Sequence, residues 1–305
     1  MQDARVLVTG GAGFIGSNLA NHLAVDNDVI AVDDGYLGTP ENLDPAVEYH
    51  ERSVTEPDLP TDVDAVFHLA ALSSYAMHED DPTTGARVNV EGFVNTVEQA
   101  RDDGCSTVVY ASTSSIYGSR TDPSPEDMDV AVNTGYEASK MARERYAEYF
   151  GNHYDLSMAG MRFFSVYQGY GGAEAHKGEY ANVIAQFADD IAHGEAPALY
   201  GDGTQTRDFT HVDDIVRGLV LAAENDLSGI YNLGTGEAYS FNTVVEMIND
   251  ELGTDVDPEY VENPIPDDVY VRDTCADPSK MRAETGWEPG IGFAEGIRRV
   301  CAQYT

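Results

Sequence analysis

The sequence predicts an α/β fold: a doubly wound parallel sheet with helices on both faces, and a smaller mixed lobe formed by the C-terminal part. Short apolar segments alternate with helical patterns through the first half, and a glycine-rich turn joins the first segment to the first helical pattern. The 305 residues are enough for one large domain or two. We expect residues 1–165 to form the core of the sheet and residues 166–305 mainly the second lobe, with some segments returning to the core.

The first strand and helix enclose the glycine-rich turn. Residues 5–9 resemble a short buried strand, and Thr9-Gly10-Gly11-Ala12-Gly13-Phe14-Ile15-Gly16 leads into a helical pattern that continues to about residue 24. Glycines at positions 10, 13 and 16 permit a tight turn, close approach to a pyrophosphate and close packing of the helix. The helix N-terminus then faces the phosphates. These residues predict a dinucleotide site of the Rossmann type.

An acidic residue at the end of the second strand indicates which dinucleotide is bound. Residues 29–32 form that predicted strand, and Asp33 follows it, where a carboxylate would bind the adenosine ribose hydroxyls. A carboxylate repels a 2′-phosphate, and no arginine or lysine follows closely, so we predict NAD and not NADP. The alternative is a carboxylate that only caps a turn.

Strands and helices continue to alternate along the chain. Strands are predicted at residues 65–69, 107–110 and 156–161, and helices at 84–100 and 136–150. Beyond residue 165 the predicted helices are 180–193, 212–224, 240–252 and 292–303, with short strands near residues 199 and 230–232. No low-complexity linker separates the two parts, so we expect the second lobe to pack directly on the sheet.

The composition excludes several classes of protein. The 54 acidic residues against 17 lysines and arginines give a net charge of −37, which repels nucleic acid and anionic membranes. We interpret this as a halophilic surface, whose self-repulsion is screened in molar salt, where the Debye length is about 3 Å; a protein that binds cationic partners is the alternative. Thermal melts test this, because a halophilic fold should be less stable in low salt.

Cysteine use and hydropathy bear on the cellular compartment. Cys105, Cys275 and Cys301 are few and far apart, which predicts no disulfide framework and no metal site and fits a reducing cytoplasm. We also expect no membrane span and no signal peptide, because no apolar run approaches the length of about 18 residues that a span needs.

A tyrosine and a lysine four residues apart are the candidate catalytic groups. Helical spacing places Tyr136 and Lys140 on one face. The ammonium should lower the pKa of the phenol from its usual value of about 10 and make it a usable general base. Lysine is rare in this chain, the other two being Lys177 and Lys280. The alternative is an ordinary surface helix.

Further motifs follow in a fixed order along the chain. They comprise His68-Leu69-Ala70-Ala71, Asn89-Val90-Glu91-Gly92, Ala111-Ser112-Thr113-Ser114-Ser115-Ile116-Tyr117-Gly118, Arg162-Phe163-Phe164-Ser165-Val166-Tyr167, residues 201–209, Asn232-Leu233-Gly234 and residues 276–280. Together with the glycine turn and the Tyr136–Lys140 pair, they resemble the extended short-chain dehydrogenase/reductases, in the family of NAD-dependent nucleotide-sugar epimerases and dehydratases. The resemblance covers essentially the whole chain and is greatest for UDP-glucose 4-epimerases.

This resemblance implies roles for individual residues. Tyr136 would be the base, Lys140 would hold the nicotinamide ribose, and Thr113 would bond the sugar 4-hydroxyl. Residues implied to contact the cofactor are Gly10, Gly13, Phe14, Ile15, Gly16, Asp33, Asp34, Ser53, Val54, Leu69, Ala70, Ala71, Asn89, Tyr136, Lys140 and, near the nicotinamide, Phe164. Residues implied to contact the nucleotide sugar are Thr113, Ser165, Asn182, Val183, Tyr200, Arg207 and Arg272.

Several positions depart from the family pattern. Ser165 stands where epimerases often have asparagine, and Ser53 stands where an aspartate is usual near the adenine. The spacing of Arg272 to the Ala276-Asp277 motif is also not the usual one. These departures concern recognition of the nucleotide and sugar more than the chemistry.

The resemblance implies a UDP-sugar 4-epimerase that acts through a transient 4-keto intermediate on UDP-glucose and UDP-galactose. Use of the N-acetylated pair is a further hypothesis. A 4,6-dehydratase would need an Asp-Glu pair after Thr113, and a UDP-glucuronate decarboxylase a Glu at the second place, but Ser114 and Ser115 occur there. A non-catalytic NAD-binding regulatory protein is a third alternative. A homodimer through helices at about 84–103 and 136–150 is a family expectation.

Overall fold

The computed structural model describes residues 1–79 and 81–305, and a parallel sheet forms its centre. The strands in these residues are β1 (Arg5–Thr9), β2 (Asp28–Asp33), β3 (Glu48–Glu51), β4 (Ala65–His68), β5 (Thr107–Ala111), β6 (Ser157–Phe163), β7 (Val166–Tyr167), β8 (Ala198–Tyr200), β9 (Thr206–Arg207), β10 (Thr210–His211), β11 (Gly229–Leu233), β12 (Tyr239–Ser240) and β13 (Glu259–Val261). Seven of them form one sheet in the order β3-β2-β1-β4-β5-β6-β11, and every neighbouring pair is parallel. The predicted doubly wound, Rossmann-type fold is confirmed.

Helices cover both faces of this sheet. Their bounds are α1 (Phe14–Leu23), α2 (Tyr75–Glu79), α3 (Pro82–Ala86), α4 (Gly92–Asp102), α5 (Gly135–Tyr154), α6 (Val183–Ala192), α7 (Val212–Glu224), α8 (Phe241–Leu252), α9 (Ser279–Thr285) and α10 (Phe293–Cys301). Side chains of α1 and α7 share one apolar cluster with the sheet, and those of α4 and α5 share a second cluster on the other face. The two clusters sandwich the sheet, as burial of both faces of a parallel sheet requires.

The second lobe has a core of its own. Helices α6, α8 and α10 contribute most of a third apolar cluster, together with Tyr167, Leu199 and Phe209. The short strands pair outside the main sheet, as β7 with β10, β8 with β13 and β9 with β12. Strand β11 and helix α7 also come from the second half of the chain, yet they pack into the main sheet and its apolar cover.

Some elements differ from the sequence-based expectations. The predicted helix 84–100 is divided into α3, a π-helical turn over 87–91 and α4, and it begins earlier because Asp81 accepts a hydrogen bond from the Thr84 N–H ahead of Pro82. The predicted helix 180–193 begins at Val183, where Asn182 caps it, and a 3₁₀ helix (Ala175–Tyr180) precedes it. Strand β3 was not predicted, because its sequence, Glu-Tyr-His-Glu, has no apolar run.

The strand order places a binding crevice at one edge of the sheet. Strands β1 and β4 are neighbours, and the chain winds away from them in opposite directions. Ligands bind outside the carboxyl ends of the strands at such a reversal. Within the described ranges, no helix is both long and apolar enough to cross a membrane.

Candidate active site

The glycine turn lies at the carboxyl end of β1. Gly10 has φ +66°, and a Cβ atom added there would lie 2.6 Å from the backbone nitrogen of Ala70 on the neighbouring strand end. A Cβ atom at Gly16 would overlap the carbonyl oxygen of Gly10, so α1 can pack this closely only without a side chain there. Gly13 is the N-cap of α1 and has no side chain to satisfy the N–H groups of the first turn. The turn therefore offers an open, anion-binding helix N-terminus.

Asp33 follows β2 beside this turn and does two things. Its Oδ2 accepts a hydrogen bond from the Ala12 N–H at 3.1 Å, and its Oδ1 accepts one from the Gly35 N–H at 2.9 Å. Burial raises the pKa of Asp33, these backbone hydrogen bonds oppose the rise, and the charge of Asp34 adds to it. The carboxylate thus orders its turn, as the alternative interpretation required, and it also lines the central cavity.

The capping of α5 fixes the position of Tyr136. Thr134 Oγ1 accepts a hydrogen bond from the Glu137 N–H at 3.2 Å, and Glu137 Oε2 accepts one from the Thr134 N–H at 3.2 Å. This reciprocal pair is a capping box and starts the helix at Gly135. Tyr136 therefore lies in the first turn, and Lys140 one turn further on the same face.

Tyr136, Lys140 and Thr113 converge at the carboxyl end of β5. The Lys140 ammonium lies 5.8 Å from the centroid of the Tyr136 ring and donates a hydrogen bond to the Ala111 carbonyl at 3.2 Å. The Tyr136 phenol lines the same cavity as Thr113. Thr113 Oγ1 lies 2.9 Å from the hydroxyl of Ser115. A phenol, an ammonium and two aliphatic hydroxyls therefore lie close together at the carboxyl end of β5.

Burial changes the expected titration of this pair. It raises the pKa of Tyr136, and the nearby Thr113 hydroxyl and the charge of Arg143 oppose the rise. Burial lowers the pKa of Lys140 well below its usual value, and repulsion from Arg143 adds to this. The prediction that Lys140 lowers the Tyr136 pKa below its usual value is wrong, because desolvation of the phenol outweighs the opposing charge of Arg143.

Arg143 is a residue that the sequence reasoning missed. Its side chain is fully buried, and it donates to the carbonyls of Asn89 at 2.5 Å, Ala70 at 2.7 Å and Ala111 at 3.5 Å. Burial lowers its pKa to about 9. It follows Tyr136 by seven residues, so the i, i+4, i+7 spacing was the signal that could have placed it on the same face.

A cavity of about 590 Å³ joins these features. Of the predicted residues, it is lined by Gly10, Gly13, Phe14, Ile15, Gly16, Asp33, Asp34, Val54, Leu69, Ala70, Ala71, Thr113, Tyr136, Lys140, Ser165 and Asn182. Residues that the sequence reasoning did not assign also line it, and they include Arg52, Phe163, His176, Lys177 and Tyr180. The glycine turn, Asp33 and the Tyr136 site are thus parts of one continuous pocket that can hold an extended dinucleotide.

Comparison with known proteins identifies this pocket's family. Residues 6–234 match the model of the NAD dependent epimerase/dehydratase family. The chain belongs to this family. NAD is therefore its cofactor, and the glycine cradle, the open N-terminus of α1 and Asp33 fit that dinucleotide.

Individual relatives support the assignment. A UDP-glucose 4-epimerase of Mycolicibacterium smegmatis is 35% identical over 310 residues, covering 97% of each chain. A UDP-N-acetylglucosamine 4-epimerase of Methanobrevibacter ruminantium, solved with UDP-N-acetylmuramic acid, has a TM-score of 0.91 at 30% identity, covering 100% of this chain and 99% of that one. A Thermus thermophilus UDP-glucose 4-epimerase solved with NAD has a TM-score of 0.86 at 31% identity, covering 98% of each. UDP-glucuronic acid decarboxylases of Arabidopsis thaliana are also similar, at 30% to 31% identity.

The structure corrects one predicted contact in this NAD-dependent site. Phe163 lines the cavity, whereas Phe164 is buried and stacks on Tyr117 with ring centroids 6.0 Å apart. Successive residues of an extended chain point to opposite sides. Phe163 therefore faces the cavity, and Phe164 supports its wall from behind.

The two predicted phosphate-binding arginines lie outside the cavity lining. The Arg207 guanidinium donates to the carbonyls of Thr206, Val271 and Arg272 and lies between the rings of Phe241 and Tyr270. Arg272 forms ion pairs with Asp202 and Asp273. Tyr200, at the end of β8, also lies outside the lining and is 36% exposed. Arg207 and Arg272 therefore join segments of the second lobe.

Three other predicted residues stand behind the cavity wall. Asn89 is buried. Its side-chain oxygen accepts a hydrogen bond from the Leu72 N–H at 2.8 Å, and its side-chain nitrogen donates to the Leu72 carbonyl and the Ser139 hydroxyl, each at 2.9 Å. Ser53 bonds Thr55, while its neighbour Val54 reaches the cavity. Val183 is the first residue of α6 and is absent from the lining. Asn89 thus positions the loop after β4, which carries lining residues.

Proposed function

We propose that this enzyme is a UDP-sugar 4-epimerase that interconverts UDP-glucose and UDP-galactose, and that it also accepts the N-acetylated pair. The observation that carries the proposal is that Tyr136, Lys140 and Thr113 line one part of the NAD cavity, and that two serines follow Thr113. Such a site can remove and return one proton at one hydroxyl. Similarity to 4-epimerases of both sugar types supports the same activity.

The chemistry of the proposal follows from these side chains. Bound NAD accepts a hydride from the sugar C4 and returns it. Tyr136, as phenolate, removes the proton of the 4-hydroxyl while Thr113 holds that oxygen by a hydrogen bond, and a 4-keto sugar results. The positive charge of Arg143 favours the phenolate, and Lys140 remains the proposed contact of the nicotinamide ribose. The ketone then presents its other face, hydride returns to C4, and Tyr136 gives the proton back, so the overall reaction is redox-neutral.

Substrate recognition is assigned to the second lobe and the cavity rim. We propose that Ser165 and Asn182, which line the cavity beside Tyr180, contact the nucleotide sugar. Val183, Tyr200, Arg207 and Arg272 remain proposed contacts of the nucleotide and its diphosphate, and Arg207 would have to exchange carbonyl partners for phosphate oxygens. Residues 166–305 would thus supply most of the substrate site, and residues 1–165 most of the NAD site.

Two other reactions of the family need groups that this site lacks. A 4,6-dehydratase moves protons at C5 and C6, and a decarboxylase acts on a uronate. Ser114 and Ser115 occupy the places where those enzymes carry acidic side chains, and Ser115 hydrogen-bonds Thr113. A serine hydroxyl is neither an acid nor a base near pH 7. The two serine hydroxyls therefore favour a reaction confined to the sugar C4.

Products distinguish the alternatives directly. The purified protein is incubated in high salt with UDP-glucose, UDP-N-acetylglucosamine and UDP-glucuronate in turn, and with dTDP-glucose as the usual dehydratase substrate. We expect UDP-galactose and its N-acetylated counterpart. A 4-keto-6-deoxy sugar or a decarboxylated pentose would overturn the proposal in favour of a dehydratase or decarboxylase. Retained NAD with no turnover on any sugar would favour a regulatory protein.

We also propose that the enzyme is a cytoplasmic homodimer. The outer surface of α5 carries three tyrosines that are 40% to 42% exposed (Tyr146, Tyr149 and Tyr154), and Arg101, at the end of α4, lies over the Tyr154 ring. Exposed aromatic and arginine side chains are enriched in protein interfaces. Light scattering in high salt should give twice the chain mass of 33.0 kDa, and substitution of Tyr149 by glutamate should shift it toward the monomer.

A further inference from the structure

Lys177 presents a cation to the cavity beside the phosphate-binding turn. It lies in the 3₁₀ helix Ala175–Tyr180 and lines the cavity together with His176 and Tyr180. Its ammonium is 5.5 Å from the centroid of the Phe14 ring, and Phe14 is the first residue of α1. Two segments far apart in sequence thus bring a positive side chain to the positive end of a helix.

The Lys177 ammonium has no partner of its own within residues 1–79 and 81–305: it makes no hydrogen bond and no ion pair there. The other basic side chains of the cavity are engaged, since Lys140 donates to the Ala111 carbonyl and Arg52 donates to the carbonyls of Pro57 and Asp58. In a chain of net charge −37, a neighbouring carboxylate could easily have neutralised the charge of this lysine. Because Lys177 is partly buried and lines the cavity, an anion bound in the cavity is the partner that this position suits.

The segment that carries Lys177 is held in place at both ends. Glu174 is fully buried and accepts hydrogen bonds from the N–H groups of Gln168 and Gly169, each at 2.9 Å, and from that of Asn182 at 2.5 Å. His176 Nδ1 lies 2.9 Å from the side-chain amide of Asn42. Burial lowers the pKa of Lys177, and the charge of Glu174 opposes this and favours the ammonium. The lysine is therefore presented by a fixed segment.

We propose that Lys177 binds the pyrophosphate of NAD together with the first-turn amides of α1, and that this contact retains the cofactor between turnovers. The amides and the helix dipole would stabilise the diphosphate, and the ammonium would supply an additional charge-assisted hydrogen bond. A redox-neutral enzyme benefits from this retention, because NAD is regenerated in place. The inference concerns the cofactor and holds whichever sugar is converted.

Binding measurements test the proposal without using activity. Lys177→Met keeps the side-chain length and removes the charge, Lys177→Arg keeps the charge, and Arg298→Met removes an exposed cation on α10 as a matched control. NAD is removed from each protein, and the dissociation constants for NAD, ADP-ribose and UDP are measured by calorimetry at one salt concentration. A hydrogen bond to a charged group predicts at least a tenfold rise in the Kd for NAD and ADP-ribose in Lys177→Met. Lys177→Arg should recover most of this affinity, and Arg298→Met should match the wild type.

The three ligands separate the possible outcomes. ADP-ribose carries the pyrophosphate of the cofactor without its nicotinamide, whereas UDP carries the diphosphate of the substrate. An unchanged Kd for NAD in Lys177→Met, or a rise confined to UDP, overturns the proposal. Lys177→Gln provides a second neutral variant if the methionine form does not fold. Since no turnover is measured, failure of the proposed epimerase activity would leave this result standing.

Discussion

Replacement of Tyr136 by phenylalanine is expected to lower kcat by about 10²- to 10⁴-fold, the contribution of a positioned general base, and to leave NAD bound. The change removes only the phenolic hydroxyl, and the ring keeps its contact with His78 at 5.7 Å between centroids. Conversion of UDP-glucose and the NAD content of the purified variant are the two measurements. Tyr260→Phe removes an exposed tyrosine hydroxyl on β13 and should leave both values unchanged.

The pH dependence provides a second readout of the same residue. Burial raises the Tyr136 pKa, and the base is active only when ionised, so the wild-type rate should increase as the pH rises toward that pKa. The residual rate of Tyr136→Phe should lack this increase. Near-normal turnover in the variant, or an unchanged pH profile, would show that another group is the base.

Local motifs made most of the NAD site predictable. The glycine turn and the Tyr136–Lys140 spacing each depend on a few neighbouring residues, whose geometry is fixed by one turn or one helix. The alternation of strands and helices likewise determines a parallel sheet with a crevice at its carboxyl edge. The sequence could therefore indicate which residues converge there before any long-range contact was known.

What could not be predicted depends on contacts between distant segments. Which of Phe163 and Phe164 faces the cavity depends on the face of the sheet to which the last side chain of β6 points. Arg207 looked available for a phosphate, but the carbonyls of Val271 and Arg272, more than sixty residues away, bind it. No helical or strand-like repeat in the sequence indicated that Lys177 reaches the cavity. Its position depends on Glu174, which accepts hydrogen bonds from N–H groups on both sides of this segment. Helical spacing also placed Lys140 beside Tyr136 but could not reveal the burial that controls both pKa values.

Replacement of Arg162 by methionine is expected to destabilise the fold by about 3–5 kcal/mol, because it leaves a buried carboxylate without its cation. Arg162 Nε and Nη2 donate to the two oxygens of Glu144 at 2.9 and 2.8 Å, and both side chains are about 5% exposed. Although burial alone would lower the pKa of Arg162, its bonds to Glu144 raise it overall. Denaturant unfolding in constant high salt measures the loss. Arg298→Met, which breaks an exposed ion pair with Glu295, should cost about 0–1 kcal/mol.

A double variant identifies the origin of this loss. If the uncompensated charge of Glu144 is the main cost, adding Glu144→Gln to Arg162→Met should recover part of the stability; a double variant less stable than the single one would contradict this. The pair also bears on the active site, because Ser112 donates to Glu144 at 2.6 Å and directly precedes Thr113. Loss of Arg162 should therefore shift Thr113 relative to Tyr136 and lower kcat even under conditions where the variant remains folded.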